Sequence, residues 1–191
     1  SYVMSITAEA QTMFANQNML DAVGAGIPTT FDELLSTGKK LKSGDVAGVA
    51  MRSKADGSAG TWPCGGFVFS NGGVVIQDGK CMLDSPEAIE AVQYYGSILN
   101  EAGPLGVGNY HWYECLNDYM QEAVAIGLDS SNFATDIENP EKSNAAGHTT
   151  YGAMVSGPGK QAKPNMWHWM AGINSKSQQK AAAFLLSLIH I

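Results

Sequence analysis

Apolar and polar positions alternate from Tyr2 through Met4 to Ile6, which predicts a strand over residues 2–7. Over residues 8–20, Met13, Phe14 and Met19 fit a helical spacing, and Gly24 and Gly26 punctuate the chain after them. Thr30 with Glu33 has the form of a capping box. The hydroxyl would take the Glu33 amide, and the carboxylate would reach back to the Thr30 amide. The helix it opens places Phe31, Leu34, Leu35 and Leu41 on one side, and a short strand comes next over residues 45–51. Residues 53–73 are Gly-rich with aromatic islands and read as irregular, with Trp62 in a Gly-bounded loop. Residues 74–76 and Asp78-Gly79 read as a strand and a turn.

Ser85-Pro86-Glu87 is a strong helix start: a capping hydroxyl, Pro at the first position, and an acid at the positive end of the dipole. Ala88, Ile89, Val92, Tyr95, Gly96 and Leu99 continue at helical spacing until Gly103-Pro104. Residues 109–120 begin as an aromatic loop and become a short helix. Residues 123–128 form a strand, and residues 129–133 lead out of it. A further strand over 149–155, a Gly/Pro/Lys linker over 157–164, an extended aromatic stretch over 165–173 and a helix from near Ser177 complete the chain. Strands alternating with helices predict an α/β fold, and no internal repeat is visible.

Composition narrows the function. The 191 residues are 45% hydrophobic and 15% charged, enough for one large core or two small ones. No apolar run approaches the roughly 18 to 20 residues that cross a bilayer. A net charge of −7, with 11 scattered basic residues, would repel a polyphosphate and disfavours nucleic acid. Cys64, Cys81 and Cys115 make no C-x-x-C pair and read as buried free thiols, with one bridge left open as an alternative. His111, His148, His168 and His190 lack metal-ligand spacing, and the short signatures of nucleotide-binding loops, serine hydrolases and zinc proteases are absent. No cofactor or metal is expected, and no catalytic residue.

The chemistry that remains is aromatic. Trp62, Tyr110, Trp112, Trp167 and Trp169 stand in segments read as irregular, close to polar side chains. Sugar rings have apolar C–H faces that stack on indoles and phenols, and hydroxyls that need carboxylates, amides or guanidinium groups. By themselves these aromatics fit ordinary packing more readily than a carbohydrate site.

An ordered series of short motifs adds a resemblance. It comprises Ile6-Thr7-Ala8-Glu9-Ala10-Gln11, Pro28-Thr29-Thr30-Phe31-Asp32-Glu33-Leu34, Gly48-Val49-Ala50-Met51-Arg52, Thr61-Trp62-Pro63, Asn71-Gly72-Gly73, Asp84-Ser85-Pro86-Glu87-Ala88, Asn109-Tyr110, Ala125-Ile126-Gly127-Leu128-Asp129 and Trp169-Met170-Ala171-Gly172-Ile173-Asn174. Together they resemble the maltose-binding-protein-like extracellular solute-binding proteins of ABC importers. The resemblance implies a two-lobed, type II periplasmic-binding-protein-like fold, here incomplete: mainly the second lobe plus part of the first. Residues 1–8 would be a hinge-crossing strand from the first lobe and residues 9–146 the second lobe. Residues 147–191 would return partly to the first lobe, with a hinge strand near 166–174. The expectation is a chain cut at both ends, with residues 186–191 not native.

The resemblance also implies a site. Glu9 matches an acid that accepts sugar hydroxyls, with an exposed helix-start carboxylate as its alternative. Trp62 and Tyr110 match cleft aromatics, with Trp112 as a neighbour, and one of Trp167 and Trp169 would stack on the ligand. Arg52 matches a polar position and reads equally as a surface charge. Asp129 and Asn132 lie where many members carry a Gly and then a Trp. Ser130, Ser131, Asn132 and Phe133 stand there instead, implying a small ligand such as a monosaccharide or sugar alcohol. The implied protein is periplasmic or extracellular, with lipid anchoring as one mode. It would be monomeric when intact, would bind its sugar or polyol by closing two lobes on it, and would deliver it to membrane permease subunits. Two other readings stand beside this one: a glycosidase using carboxylates such as Glu9 and Asp129, and a structural interaction domain.

Overall fold

The computed structural model describes residues 3–56 and 58–189, with side chains described outside residues 58–61 and 186–189. Tyr2, at the head of the expected first strand, and His190 and Ile191, at the expected non-native end, lie outside the described residues. The chain divides into a larger unit, Gln11–Asn165, and a smaller one made of Ser1–Ala10 with Met166–Ile191.

The larger unit is a helix–sheet–helix sandwich. Its sheet runs in the order β2 (Ala47–Ala50), β5 (Val124–Ser130), the second part of β1 (Val3–Asn16), and β6 (Thr149–Gly152). β2 and β5 are parallel, and β1 is antiparallel to both β5 and β6. All seven residues of β5 are buried, as expected of a strand covered on both faces. On one face the main core joins Met13, Val49, Ile126 and Leu128 to Phe31, Leu34, Phe67 and Ile98. These last four come from α2 (Phe31–Leu41), α3 (Ser58–Ser70) and α4 (Pro86–Ala102). On the other, Phe14 packs edge-on against Tyr119, 4.7 Å between ring centroids, beside Leu116 and Ile137. Tyr119 and Leu116 belong to α5 (Trp112–Met120) and Ile137 to α6 (Ala134–Ile137). Gly127 is paired with Phe14 across the strands, and a Cβ there would fall 2.0 Å from the ring. Only glycine leaves room for that ring. A two-stranded hairpin, β3 (Ile76–Gln77) and β4 (Lys80–Cys81), completes this unit with the short α1 (Gln17–Ala22).

In the smaller unit the first part of β1 pairs antiparallel with β7 (Met166–Gly172), from Val3 opposite Gly172 to Ala10 opposite Met166, and α7 (Lys180–Ile189) comes after it. Among the described residues no helix is long and apolar enough to cross a membrane.

Several expectations are corrected. Residues 8–16, read as helix, continue the strand: the buried run from Met13 to Asn16 is flanked by β5 and β6, and that burial outweighs local preference. Residues 58–70, read as irregular, are helical despite Pro63. Phe67 explains this, lying flat on Phe31 (4.7 Å, 19°) and edge-on to Tyr95 (5.1 Å, 84°). Residues 147–165, expected to return to another lobe, are packed in the larger unit. β6 pairs with Met13–Asn16 there, and Met154 and Val155 are buried in its main core. The three cysteines are free, but only Cys115 is buried, Cys64 being half-buried and Cys81 exposed.

The cap of α2 forms with one change. The Glu33 amide donates to Thr30 Oγ1 at 3.2 Å, while the Glu33 carboxylate accepts from the Thr29 amide at 2.8 Å and the Thr29 hydroxyl at 2.7 Å. Chiefly the Thr29 amide, then its hydroxyl, holds the Glu33 carboxyl below its ordinary value of 4.5. A depressed folded value stabilises the protein above the ordinary value, and the stabilisation is lost as pH falls through the folded value. Glu33→Gln should therefore lower the urea midpoint at neutral pH, and the difference from the parent should close in acid.

Candidate functional site

β2 and β5 run parallel, so their carboxyl ends share one edge, the edge at which open α/β sheets bind ligands. Asp129 stands at the end of β5 and Arg52 just beyond β2. Asp129 is 1% exposed. Both of its oxygens are taken: Arg52 Nε donates to Oδ2 at 2.7 Å and Nη2 to Oδ1 at 2.5 Å, and the Ser130 amide adds 2.7 Å to Oδ1. This is the two-pronged geometry that suits guanidinium and carboxylate. Burial pushes the Asp129 carboxyl up from its ordinary value, against the opposing pull of Arg52 and the Ser130 amide. The Arg52 carbonyl accepts the hydroxyl of Tyr95, whose own ionisation burial drives well up.

The guanidinium of Arg52 lies 6.0 Å from the ring centroid of Trp62, within the range of a cation–π contact. Trp62 is half-buried on α3. Arg52, Trp62 and Asp129 are thus brought together, and Arg52 is the half-buried partner of a buried acid.

The segment before α5 adjoins the loop after β2. The amides of Ser53 and Lys54 both donate to the Tyr110 carbonyl at 2.9 Å, which ties this segment to the loop after β2. The Tyr110 side chain does not join the group: its hydroxyl donates to Asp118 at 2.6 Å, and its ring packs on the cluster of Ala47, Ala50, Cys115 and Val124. Burial, then the Asp118 hydrogen bond, raises the Tyr110 ionisation. Trp112 opens α5, 41% exposed, with ring contacts to Phe133 at 6.0 Å and to Tyr113 at 5.8 Å. Asn132 is exposed one residue before Phe133, its amide donating to Ser130 Oγ at 3.2 Å.

The remaining candidates belong to the smaller unit. Glu9 is opposite Trp167 and Thr7 opposite Trp169, so both indoles and the acid share one face of the strand pair. The Trp169 indole N–H donates to Glu9 Oε1, and the two indoles sit 6.1 Å apart, edge to face, each about half exposed.

Sequence reasoning missed four residues around these groups. His111 caps α5 through Nδ1, which accepts the Trp112 amide at 2.8 Å. In the neutral ring the proton then sits on Nε2, which faces Asp56 at 3.7 Å. His111 is not among the usual capping residues, so this cap left little signal in the sequence. Asp56, Gln11 and Asn165 carried none, because their partners are distant in the chain. Among the described residues no group of acids, histidines and cysteines could hold a metal.

Comparison with known proteins settles the family: the model for bacterial extracellular solute-binding proteins matches residues 2–186. The chain belongs to this family. A probable ABC transporter-binding protein of Deinococcus radiodurans is 24% identical over 187 residues, covering 91% of this chain and 44% of its own. An erythritol/L-threitol-binding protein of Mycolicibacterium smegmatis is 24% identical over 103 residues, 54% of this chain and 22% of its own. A solute-binding protein of Agrobacterium vitis with bound D-mannitol superposes with a TM-score of 0.89 at 20% identity, covering 99% of this chain and 46% of its own. The fold is therefore that of the type II periplasmic binding proteins, and the chain spans less than half the length of these relatives.

Removing Arg52 leaves the Asp129 charge buried and unmatched. Arg52→Met should cost about 3 to 5 kcal/mol in urea unfolding, and the double substitution Arg52→Met with Asp129→Leu should recover most of it.

Proposed function

We propose that this chain belongs to a protein that captures a sugar or sugar alcohol outside the cytoplasm and hands it, unchanged, to ABC permease subunits. The observation that carries the reading is the Arg52–Asp129 pair beside the Trp62 ring, at the carboxyl edge of two parallel strands. A fixed indole face next to guanidinium donors suits one C–H face and the hydroxyls of a polyol. In the smaller unit the Glu9–Trp169 contact beside Trp167 offers the same chemistry again, an acid next to stacking rings. The intact protein would act as a periplasmic or extracellular monomer, free or lipid-anchored, with ligand contacts favouring a closed form.

A small ligand is favoured. After β5 the short polar residues Ser130, Ser131 and Asn132 precede Phe133, which packs inward on Phe14 at 6.2 Å and on Trp112 at 6.0 Å. This segment offers polar groups and no broad platform for successive rings. The relatives that bind erythritol/L-threitol and D-mannitol support the same size class. The glycosidase reading asks Asp129 to act as acid, base or nucleophile. With both oxygens committed to Arg52 and 1% exposure, that carboxylate is poorly placed for the task.

Calorimetric titration of erythritol, D-mannitol and maltose into the full-length protein should find one site per chain for a small polyol or sugar. Trp62→Ala should weaken it about tenfold or more, and the ligand should be recovered intact. Heatless titrations across the panel, or cleavage of a glycoside, would overturn the proposal.

A further inference from the structure

Trp62 is held from an unexpected direction. Gln11 and Asn165 are the first and last residues of the larger unit, and the Gln11 amide donates to the Asn165 carbonyl at 2.9 Å. Their side chains turn onto adjacent carbonyls of α3. Asn165 Nδ2 donates to the Trp62 carbonyl, and Gln11 Nε2 donates to the Pro63 carbonyl at 3.2 Å. Gln11 is 2% exposed, so its bond is shielded from water.

The helix leaves room for both amides. A Cβ at Gly65 would lie 2.8 Å from Asn165 Nδ2, and one at Gly66 would lie 1.8 Å from Gln11 Oε1. Two successive glycines inside a helix weaken it. Here they admit two side chains that any larger residue would exclude, and Pro63 between the latched carbonyl of Trp62 and the glycines stiffens the same turn. The far end of α3 has its own tie: Ser70 Oγ accepts the Lys163 amide at 2.8 Å and donates to the Lys163 carbonyl at 3.2 Å.

From this geometry we infer that Gln11 and Asn165 are positioning residues for Trp62: a two-amide latch that sets the indole by the conformation of the backbone where the chain enters and leaves the larger unit. The latch makes the aromatic face responsive to that backbone, so ligand affinity depends on two residues that carry no stacking surface. Its consequence for binding rests on the proposed role of Trp62 in holding a polyol or sugar. Its consequence for the indole itself does not.

The test is made on the full-length protein labelled with 5-fluorotryptophan, the Trp62 resonance being the one lost in Trp62→Phe. Asn165→Asp and Gln11→Glu keep side-chain shape but replace each donor with an acceptor. Both should shift and broaden the Trp62 resonance while the other tryptophans stay in place. Ser70→Ala, which breaks the tie at the other end of the helix, should lower the melting temperature and leave Trp62 unmoved. Should either charged variant fail to fold, Asn165→Ala and Gln11→Leu remove the donor without the charge and are read in the same way. A Trp62 resonance unchanged in the latch variants, or moved equally by Ser70→Ala, would overturn the inference. In D-mannitol titrations Asn165→Asp should weaken binding about tenfold, and that effect should vanish in the Trp62→Phe background. If the unmodified protein binds no sugar or polyol, the functional proposal falls while the fluorine spectra still decide the latch.

Discussion

A carboxylate can be buried in a protein only when its charge is met, and Asp129 places that demand at the end of the central strand of the larger unit. Arg52 meets it with both prongs of its guanidinium group. That pairing draws together the ends of β2 and β5 and fixes Arg52 within cation–π range of Trp62. The loop beyond Arg52 is then tied to the segment that begins α5, through the two amide bonds to Tyr110. One electrostatic requirement thus organises four separate stretches of chain into one edge. Its value lies in geometry: a buried ion pair contributes little net stability, but it holds its members in one arrangement.

Packing supports that edge from below. Helices cover both faces of the sheet, and the strand carrying Asp129 is buried along its whole length. The stack of Phe31 on Phe67 joins α2 to α3, and Tyr95 of α4 reaches both the Phe67 ring and the carbonyl of Arg52. Tyr95 therefore links the hydrophobic core to the polar edge, its ring belonging to one and its hydroxyl to the other. The proposed capture of a hydroxyl-rich ligand would draw on this kind of support, because polar groups that need not reorganise on binding lose less entropy.

The smaller unit uses a different device for similar chemistry. Glu9, Trp167 and Trp169 are brought onto one face by strand register alone, with no core beneath them among the described residues of β7, all of which are exposed. A one-residue slip would turn both indoles to the opposite face. The bulge between Ser5 and Thr7 sits beside this group and marks where the pairing is re-set.

Much was legible in the chain itself. The cap and Pro86 announced α4, the alternation and aromatic run announced the strands, and the ordered motifs announced the family, because each signal is local and survives without its partners. The candidate residues were legible as types, Arg52, Trp62 and Asp129 in the larger unit and Glu9 with the indoles of β7 in the smaller, though with no means of saying which would meet. Tertiary structure decided the rest. It made strand of residues 8–16, because burial between two neighbours outweighs local spacing. It made helix of the glycine-rich stretch around Trp62, because Phe67 and two inserted amides hold what propensity disfavours. It also withdrew Tyr110, whose hydroxyl found Asp118, and turned Arg52 from a surface charge into the partner of a buried acid. Pairings between residues far apart in sequence are set by which groups must be satisfied once water is excluded, and no local pattern records that.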